Sequence, residues 1–324
     1  MKTDNKSNIP ALPQSASLTA PSTEGGLEGA LYGKTVYALG FFDGVHKGHQ
    51  ALLEACRQLA ERTGCTPGVM TFTSHPDTLV TGQTPKLINT EEERRRLIPD
   101  YGVDCITALP FDERLMNMPW QAFLEDLVVK GAAGFVCGDD FRFGFRGEGT
   151  AGLLESFCKE RGLVYQVVPG QMLDGIRVSS THIRQLLEAG EMEQAVRFLG
   201  HPHYLSGTVI SGRGLGHTIG IPTANIALPD SVICPKRGVY ACKATVDGQE
   251  YLAVTNIGTR PTVGGHHTTV ETWILDFAGD LYGKALTLRF YDFLRPEQKF
   301  GSLTQLQAEI QKNAAQTRKI LESL

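Results

Sequence analysis

The chain predicts two fold classes in succession: an α/β part built on a mostly parallel sheet, then a small antiparallel β-barrel closed by a helix. Strand-like and helix-like segments alternate from Thr35 to about Pro169, and such alternation needs crossovers that lay parallel strands side by side. Beyond His201-Pro202-His203 strand-like runs dominate, at the spacing of a small barrel. Asp247-Gly248 between two of those runs is a tight hairpin signal. With 324 residues, 41% hydrophobic and 20% charged, the chain can bury two cores of ordinary size.

Residues 1–32 are rich in Ser, Thr, Pro, Gly and Ala and lack the apolar region of a signal peptide, so they read as a flexible tail. Gly33-Lys34-Thr35 imitates a Walker A ending but precedes a strand, whereas a phosphate loop must follow one. Thr35-Val-Tyr-Ala-Leu39 is the first strand. Leu52, Leu53, Cys56, Leu59 and Ala60 at three-to-four spacing predict a helix over 50–62. Strands follow at 68–72, 105–109, 135–138 and 164–168, interleaved with helices at 90–100, 120–130 and 152–161; Thr90 and Glu93 form a capping box. Short helices at 181–189 and 192–199 lead to a boundary near 186–203, giving expected domains 33–186 and 187–324. The second contains strands at 205–210, 239–246, 250–255, 268–277 and 285–293, and a last helix at 303–321. No internal repeat spans the boundary.

A net charge of −4 argues against a broad nucleic-acid or membrane-surface footprint, so any anion site must be local. Seven cysteines, an odd count without a C-x-x-C pair, suit reduced thiols and a cytoplasmic location. No apolar run reaches the roughly 18 residues that would suggest a membrane span. Self-association stays open.

The run Phe41-Phe-Asp-Gly-Val-His-Lys-Gly-His-Gln50 carries the strongest chemical signal. It places His46 and His49 where a strand gives way to a helix. Gly44 and Gly48 let a ligand approach the backbone, and free N–H groups at a helix start favour anions. A phosphate beside both imidazoles follows; an ordinary capping pair and a metal pair remain the other readings. Phe72-Thr-Ser-His75-Pro76 and Gly138-Asp-Asp-Phe141 also fall at strand ends, where ligands bind in such sheets.

Val178-Ser-Ser-Thr-His-Ile-Arg184 opens a helix, where Ser180, Thr181 and Arg184 face a phosphate or serve as a plain cap with a surface arginine. Ser211 to Asn225 holds Gly212, Gly214, Gly216 and Gly220 and ends in Pro-Thr-Ala-Asn. Its glycine backbone suits a polyphosphate, and the oxygens of Thr223 and Asn225 suit Mg²⁺. Glu271 alternates with Val270, Thr272 and Ile274 and shares its face with Trp273 and Leu275. An acid there is poorly solvated unless the face lines a pocket, which fits a general base of raised proton affinity.

Taken together, G-F-F-D-G-V-H-K-G-H, G-D-D-F-R-F-G, S-S-T-H-I-R and P-T-A-N resemble, in order, the motifs of bacterial bifunctional riboflavin kinase/FAD synthetases. Lys236-Arg-Gly-Val-Tyr240, Asn256 to Thr262, Asp280 to Gly283 and Phe293 to Phe300 continue the pattern, so the resemblance spans about 35–324. Position 41, often Asn in that family, is Phe41 here. The resemblance implies a Rossmann-like nucleotidyltransferase domain of the H-x-G-H superfamily and a kinase barrel, using riboflavin, FMN, ATP and Mg²⁺. It also implies the following roles: Glu271 as kinase base; His46, His49, Ser180, Thr181 and Arg184 on phosphates in adenylyl transfer; Asp140, Phe141 and Arg295 near flavin or adenine. A cytidylyltransferase or pantetheine-phosphate adenylyltransferase would explain the first half but not P-T-A-N. The competing class is a non-catalytic flavin or nucleotide carrier that keeps the fold.

Overall fold

The computed structural model describes residues 34–211, 220–262 and 265–322. The expected tail and three of the expected phosphate-binding glycines, Gly212, Gly214 and Gly216, lie outside the described residues. Contacts divide the chain into two compact units, 34–85 with 94–178, and 86–93 with 179–322.

The first unit contains β1 (Thr35–Leu39), α1 (Lys47–Thr63), β2 (Thr66–Phe72), most of α2 (Glu91–Leu97), β3 (Cys105–Leu109), α3 (Trp120–Val129), β4 (Ala132–Gly138), α4 (Ala151–Arg161) and β5 (Val164–Val168). All five strands are parallel in the order β3-β2-β1-β4-β5. The chain winds outward from β1 to β3, then returns to β4 on the other side. Crossovers therefore leave in opposite directions between β1 and β4, and the carboxyl ends of these two strands are where sheets of this kind bind ligands. β1 is buried along its whole length, and α1 covers it with Leu53, Cys56, Leu59 and Ala60, the periodic residues. The helix predicted over 90–100 stops at Leu97 and tightens into a 3₁₀ turn over Ile98–Tyr101. Pro99 supplies no N–H and forbids further α-helix.

The second unit contains α5 (Ser180–Ala189), α6 (Met192–Leu199), β6 (His203–Thr208), β7 (Ala224–Ala227), β8 (Gly238–Val246), β9 (Gln249–Thr262), β10 (Gly265–Ile274), β11 (Ala285–Arg295) and α7 (Leu303–Leu321). Its sheet runs β6-β11-β8-β9-β10-β7, and an antiparallel bridge from Ile210 to Asn225 joins the ends into a near-closed barrel. The predicted hairpin is present, with Asp247 and Gly248 at φ 48° and 79°. β9 runs to Thr262, seven residues past the predicted end. Beyond Ile257 it pairs with β10 alone, and an edge tolerates Pro261. β7, which begins within the P-T-A-N segment, has no strand signal of its own; pairing with β10 supplies it.

The segment 86–93 completes this unit. Leu87 donates to the Ser231 carbonyl at 2.8 Å and accepts from the Ile233 amide at 2.7 Å. Glu93 forms the predicted capping box, receiving the Thr90 amide at 2.8 Å while its own amide donates to Thr90 Oγ1 at 3.2 Å. Its carboxylate also receives the Ser206 amide at 2.7 Å and hydroxyl at 3.1 Å. Burial raises the pKa of Glu93.

Candidate active sites

In the first unit, β1 ends in a turn that ordinary residues resist. Phe42 has φ 60°, Gly44 81° and the β-branched Val45 39°. Positive φ is unusual for any residue with a Cβ and an outlier for a branched one, at a cost of about 1–3 kcal/mol each. Gln50 on α1 secures the turn by donating to the Val45 carbonyl at 2.9 Å. The strained path delivers His46 as the N-cap of α1, four residues before the predicted helix start.

His46 Nδ1 accepts the His49 amide at 3.3 Å, so a neutral His46 ring carries its proton on Nε2. The two imidazoles stack with centroids 3.6 Å apart and planes 13° apart. Two cations would repel at that separation. The cation is disfavoured at His49: burial, then His46, then the Arg94 guanidinium hold its pKa well below the usual imidazole value. His49 is only partly buried as a residue, yet its Nδ1 is enclosed with no hydrogen-bond partner among the described residues.

The turn after β4 lies at the same carboxyl end of the sheet as the turn after β1. Asp139 receives the Gly170 amide at 3.2 Å, and Arg177 pairs with Asp139 at 2.9 Å and Asp140 at 2.8 Å. Phe141 stacks on Phe143 at 5.4 Å, and Phe143 is buried against Trp120 and Phe123. The aromatic residues of this motif are thus partly structural, while Asp140 stays exposed. Arg177 and Arg94 were not foreseen: one stands alone in a hairpin, and the other sits in Glu-Glu-Glu-Arg-Arg-Arg, which reads as a solvated helix face.

In the second unit, Ser179 caps α5 by accepting the His182 amide at 3.2 Å. Ser180 and Thr181 occupy the first turn, and Arg184 donates to Thr181 Oγ1 at 3.3 Å. His182 packs edge-on against Phe198 at 4.7 Å, a packing role.

The barrel aligns its candidates by register. Asn225 of β7 lies opposite Glu271 of β10, and Glu271 lies opposite Asn256 of β9. Directly paired residues share a face, so three polar side chains form one row across three strands. Val270, Thr272 and Ile274 are buried as the alternation requires, and Thr255 and Thr272 share a buried hydroxyl bond of 3.0 Å. On the Glu271 face Trp273 and Leu275 pack with Val254 and with Ala314 of α7. Asn225 is 5% exposed, and its Nδ2 donates to the Thr223 carbonyl at 3.5 Å. A cavity of about 480 Å³ adjoins Asn225, lined also by Ile226, Leu228, Ile233 and Thr268. Gly220 enters this segment at φ 69°. Arg295 is held by α7: its Nε donates to Asn313 Oδ1 at 3.1 Å and lies 3.4 Å from Glu309. Asn256 opens the Asn256–Thr262 motif, and only the register singles it out.

Thr223 and Asn225 offer neutral oxygens, which suit a hard divalent cation that takes its other ligands from phosphates and water. Among the described residues no group of three or more His, Cys, Asp or Glu could hold a metal ion.

A family model described as FAD synthetase matches residues 30–182, and one described as riboflavin kinase matches 199–321. A relative from Listeria monocytogenes named bifunctional riboflavin kinase/FMN adenylyltransferase is 36% identical over 293 residues, 89% of this chain and 93% of its own. A relative of the same name from Escherichia coli is 38% identical over 287 residues, 87% of this chain and 91% of its own. A crystal structure of a macrolide-efflux protein from Streptococcus pneumoniae superposes with TM-score 0.81 at 31% identity, covering 88% of this chain and 94% of that one. Among the described residues no helix is long and apolar enough to cross a membrane. Two domain models in the expected order and relatives matched along most of their length place the chain in the bifunctional riboflavin kinase/FMN adenylyltransferase family.

Proposed function

We infer that the protein converts riboflavin to FMN with ATP, then joins FMN to the AMP moiety of a second ATP, giving FAD and pyrophosphate. The observation that carries this reading is that one chain matches both activities along its length. The domains proposed for the two reactions are 33–186 for adenylyl transfer and 187–324 for phosphorylation.

In the kinase reaction Glu271 takes the proton of the riboflavin 5′-hydroxyl as that oxygen bonds to the ATP γ-phosphorus and ADP leaves. The row of Asn225, Glu271 and Asn256 supports this assignment, because it sets a carboxylate between two amides, one of which, Asn225, lines a cavity. ATP-using kinases and adenylyltransferases need a divalent cation. We propose Mg²⁺, held by Thr223 and Asn225, where it would neutralise phosphate charge. Gly212, Gly214, Gly216 and Gly220 are proposed to receive the polyphosphate, and Arg295 to border the flavin or adenine.

In adenylyl transfer an FMN phosphate oxygen bonds to the ATP α-phosphorus and pyrophosphate leaves. The nucleophile is already ionised, so the step needs positioning and charge stabilisation instead of a base. His46 and His49 are proposed to donate to phosphate oxygens, with Gly44 and Gly48 admitting the nucleotide; Ser180, Thr181 and Arg184 are proposed as further phosphate ligands. Asp140 and Phe141 are proposed to border adenine or flavin. A cytoplasmic location belongs to the same reading and is supported by seven unpaired cysteines. Nucleic acid and membrane have no part in it, and an oligomer is compatible with it.

Incubation with riboflavin and Mg-ATP, resolved by chromatography, tests the reading. FMN and then FAD are expected. Flavin binding without turnover would instead identify a carrier.

A further inference from the structure

We propose that Arg94 is a positioning residue for adenylyl transfer, tying together the ends of β1 and β2 from which His46, His49 and His75 are presented. The proposal rests on the reading of His46 and His49 given above. Arg94 is 2% exposed. Its guanidinium lies 4.0 Å from the centre of the Phe41 ring, and its two terminal nitrogens donate to the Phe41 carbonyl and, at 3.4 Å, to the Phe72 carbonyl. Phe41 lies just past β1 and Phe72 ends β2, so one buried group spans both strand ends. His75 meets the other partner of the stack, the Phe41 ring, edge-on at 4.6 Å. Thr71 adds a hydroxyl bond to the same Phe41 carbonyl at 3.1 Å.

A planar fork can serve two carbonyls while its face lies on a ring; an ammonium cannot. Phe41 supplies that ring. The next residue, Phe42, bears on His49 at 5.1 Å, so displacement of Phe41 passes directly into the strained turn. Arg94 also acts through charge. The charged or titratable groups facing His49 are His46 from its own helix start and Arg94 from α2, and both oppose its protonation. A neutral His49 can stack on His46 without repulsion.

The test uses the full chain and measures both activities. Arg94→Lys keeps the charge but loses fork and stack. Its kcat for adenylyl transfer should fall roughly ten- to a hundredfold, while riboflavin phosphorylation is unchanged. Arg94→Met should in addition move the acid limb of the adenylyl-transfer pH profile to higher pH, because His49 loses a cation that opposes its protonation. Phe41→Leu removes the ring without disturbing the buried charge, and should give a smaller fall in kcat; it decides the matter if the Arg94 variants lose both activities through misfolding. An unaltered kcat in Arg94→Lys, an unmoved acid limb in Arg94→Met, or an unaltered kcat in Phe41→Leu would each overturn the proposal. His49→Ala is run beside them. If that variant still makes FAD at full rate, the reading of the histidine site has failed; if it is inactive while Arg94→Lys is normal, only the role of Arg94 has.

Discussion

In the first unit His46 and His49 stand on a turn and helix start beyond parallel strands, whereas in the second Asn225, Glu271 and Asn256 stand on neighbouring strands of one antiparallel sheet. The two scaffolds fix side chains by different physics. His46 and His49 depend on a backbone held at positive φ and on a helix start, both secured by side-chain bonds from Gln50 and Arg94. Asn225, Glu271 and Asn256 depend on register, which a ladder of main-chain hydrogen bonds enforces cooperatively. A turn can be disturbed by one contact. A register is disturbed only if a strand slips.

The sharpest separation of the two comes from Glu271→Gln, which leaves the register intact and removes only the basic carboxylate. FMN synthesis should fall by about 10² to 10⁴, with riboflavin affinity far less changed and adenylylation of supplied FMN continuing. Initial rates by chromatography measure both. Near-normal phosphorylation would remove Glu271 from the mechanism.

His49→Ala is the counterpart in the first unit. Loss of one preorganised donor costs roughly 10² to 10³ in rate, so FAD formation should collapse while FMN accumulates. Loss of both activities in a folded variant would break the two-site comparison.

Acid should reach the barrel through a different histidine. His203 on β6 is fully buried against Phe290, with both ring nitrogens lacking partners among the described residues. Burial and then His201 push it down to about 3. The folded barrel keeps this ring neutral, while the unfolded chain takes up a proton below about pH 6.5. Its stabilising contribution is therefore complete above that pH and is lost as pH falls toward 3, by up to about 1.4 kcal/mol per pH unit. Denaturant midpoints, followed by residual kinase activity at pH 7 and pH 5, should converge in His203→Leu relative to the parent. An equal acid loss in both would exclude this ring as the cause.

The smallest expected effect is Gly48→Ala. A Cβ there would lie 3.1 Å from His46 Cε1 and 3.2 Å from Nδ1. Helix propensity would rise by up to about 1 kcal/mol, yet the imidazole must shift by a few tenths of an ångström, lowering adenylyl transfer by less than about tenfold. Stability and activity should thus move in opposite directions, as thermal melts and FAD formation rates would record. A parallel fall in both would mean that the glycine serves the helix, not the ring.

Gly48 also shows where sequence reasoning stops. Its expected use was to admit a nucleotide, but its bare Cα also accommodates the folded-back His46 ring. The strand at Val164–Val168, the helix at Leu303–Leu321 and the Thr90/Glu93 box were all legible, because each is set by residues close together in the chain. β7 was not, since four residues ending a glycine-rich loop become a strand only when β10 lies beside them.

By itself the sequence determined the alternation of strands and helices, the change to a barrel, and the residue types suited to phosphate chemistry, since periodicity, turns and caps are local. Tertiary structure alone decided that Arg94 in a run of charges is buried on Phe41, that Glu271 lies between Asn225 and Asn256, and that His49 is held neutral. Those outcomes depend on groups distant in sequence meeting out of water, where burial and neighbouring charge set the energy of each, and no spacing along the chain encodes that meeting.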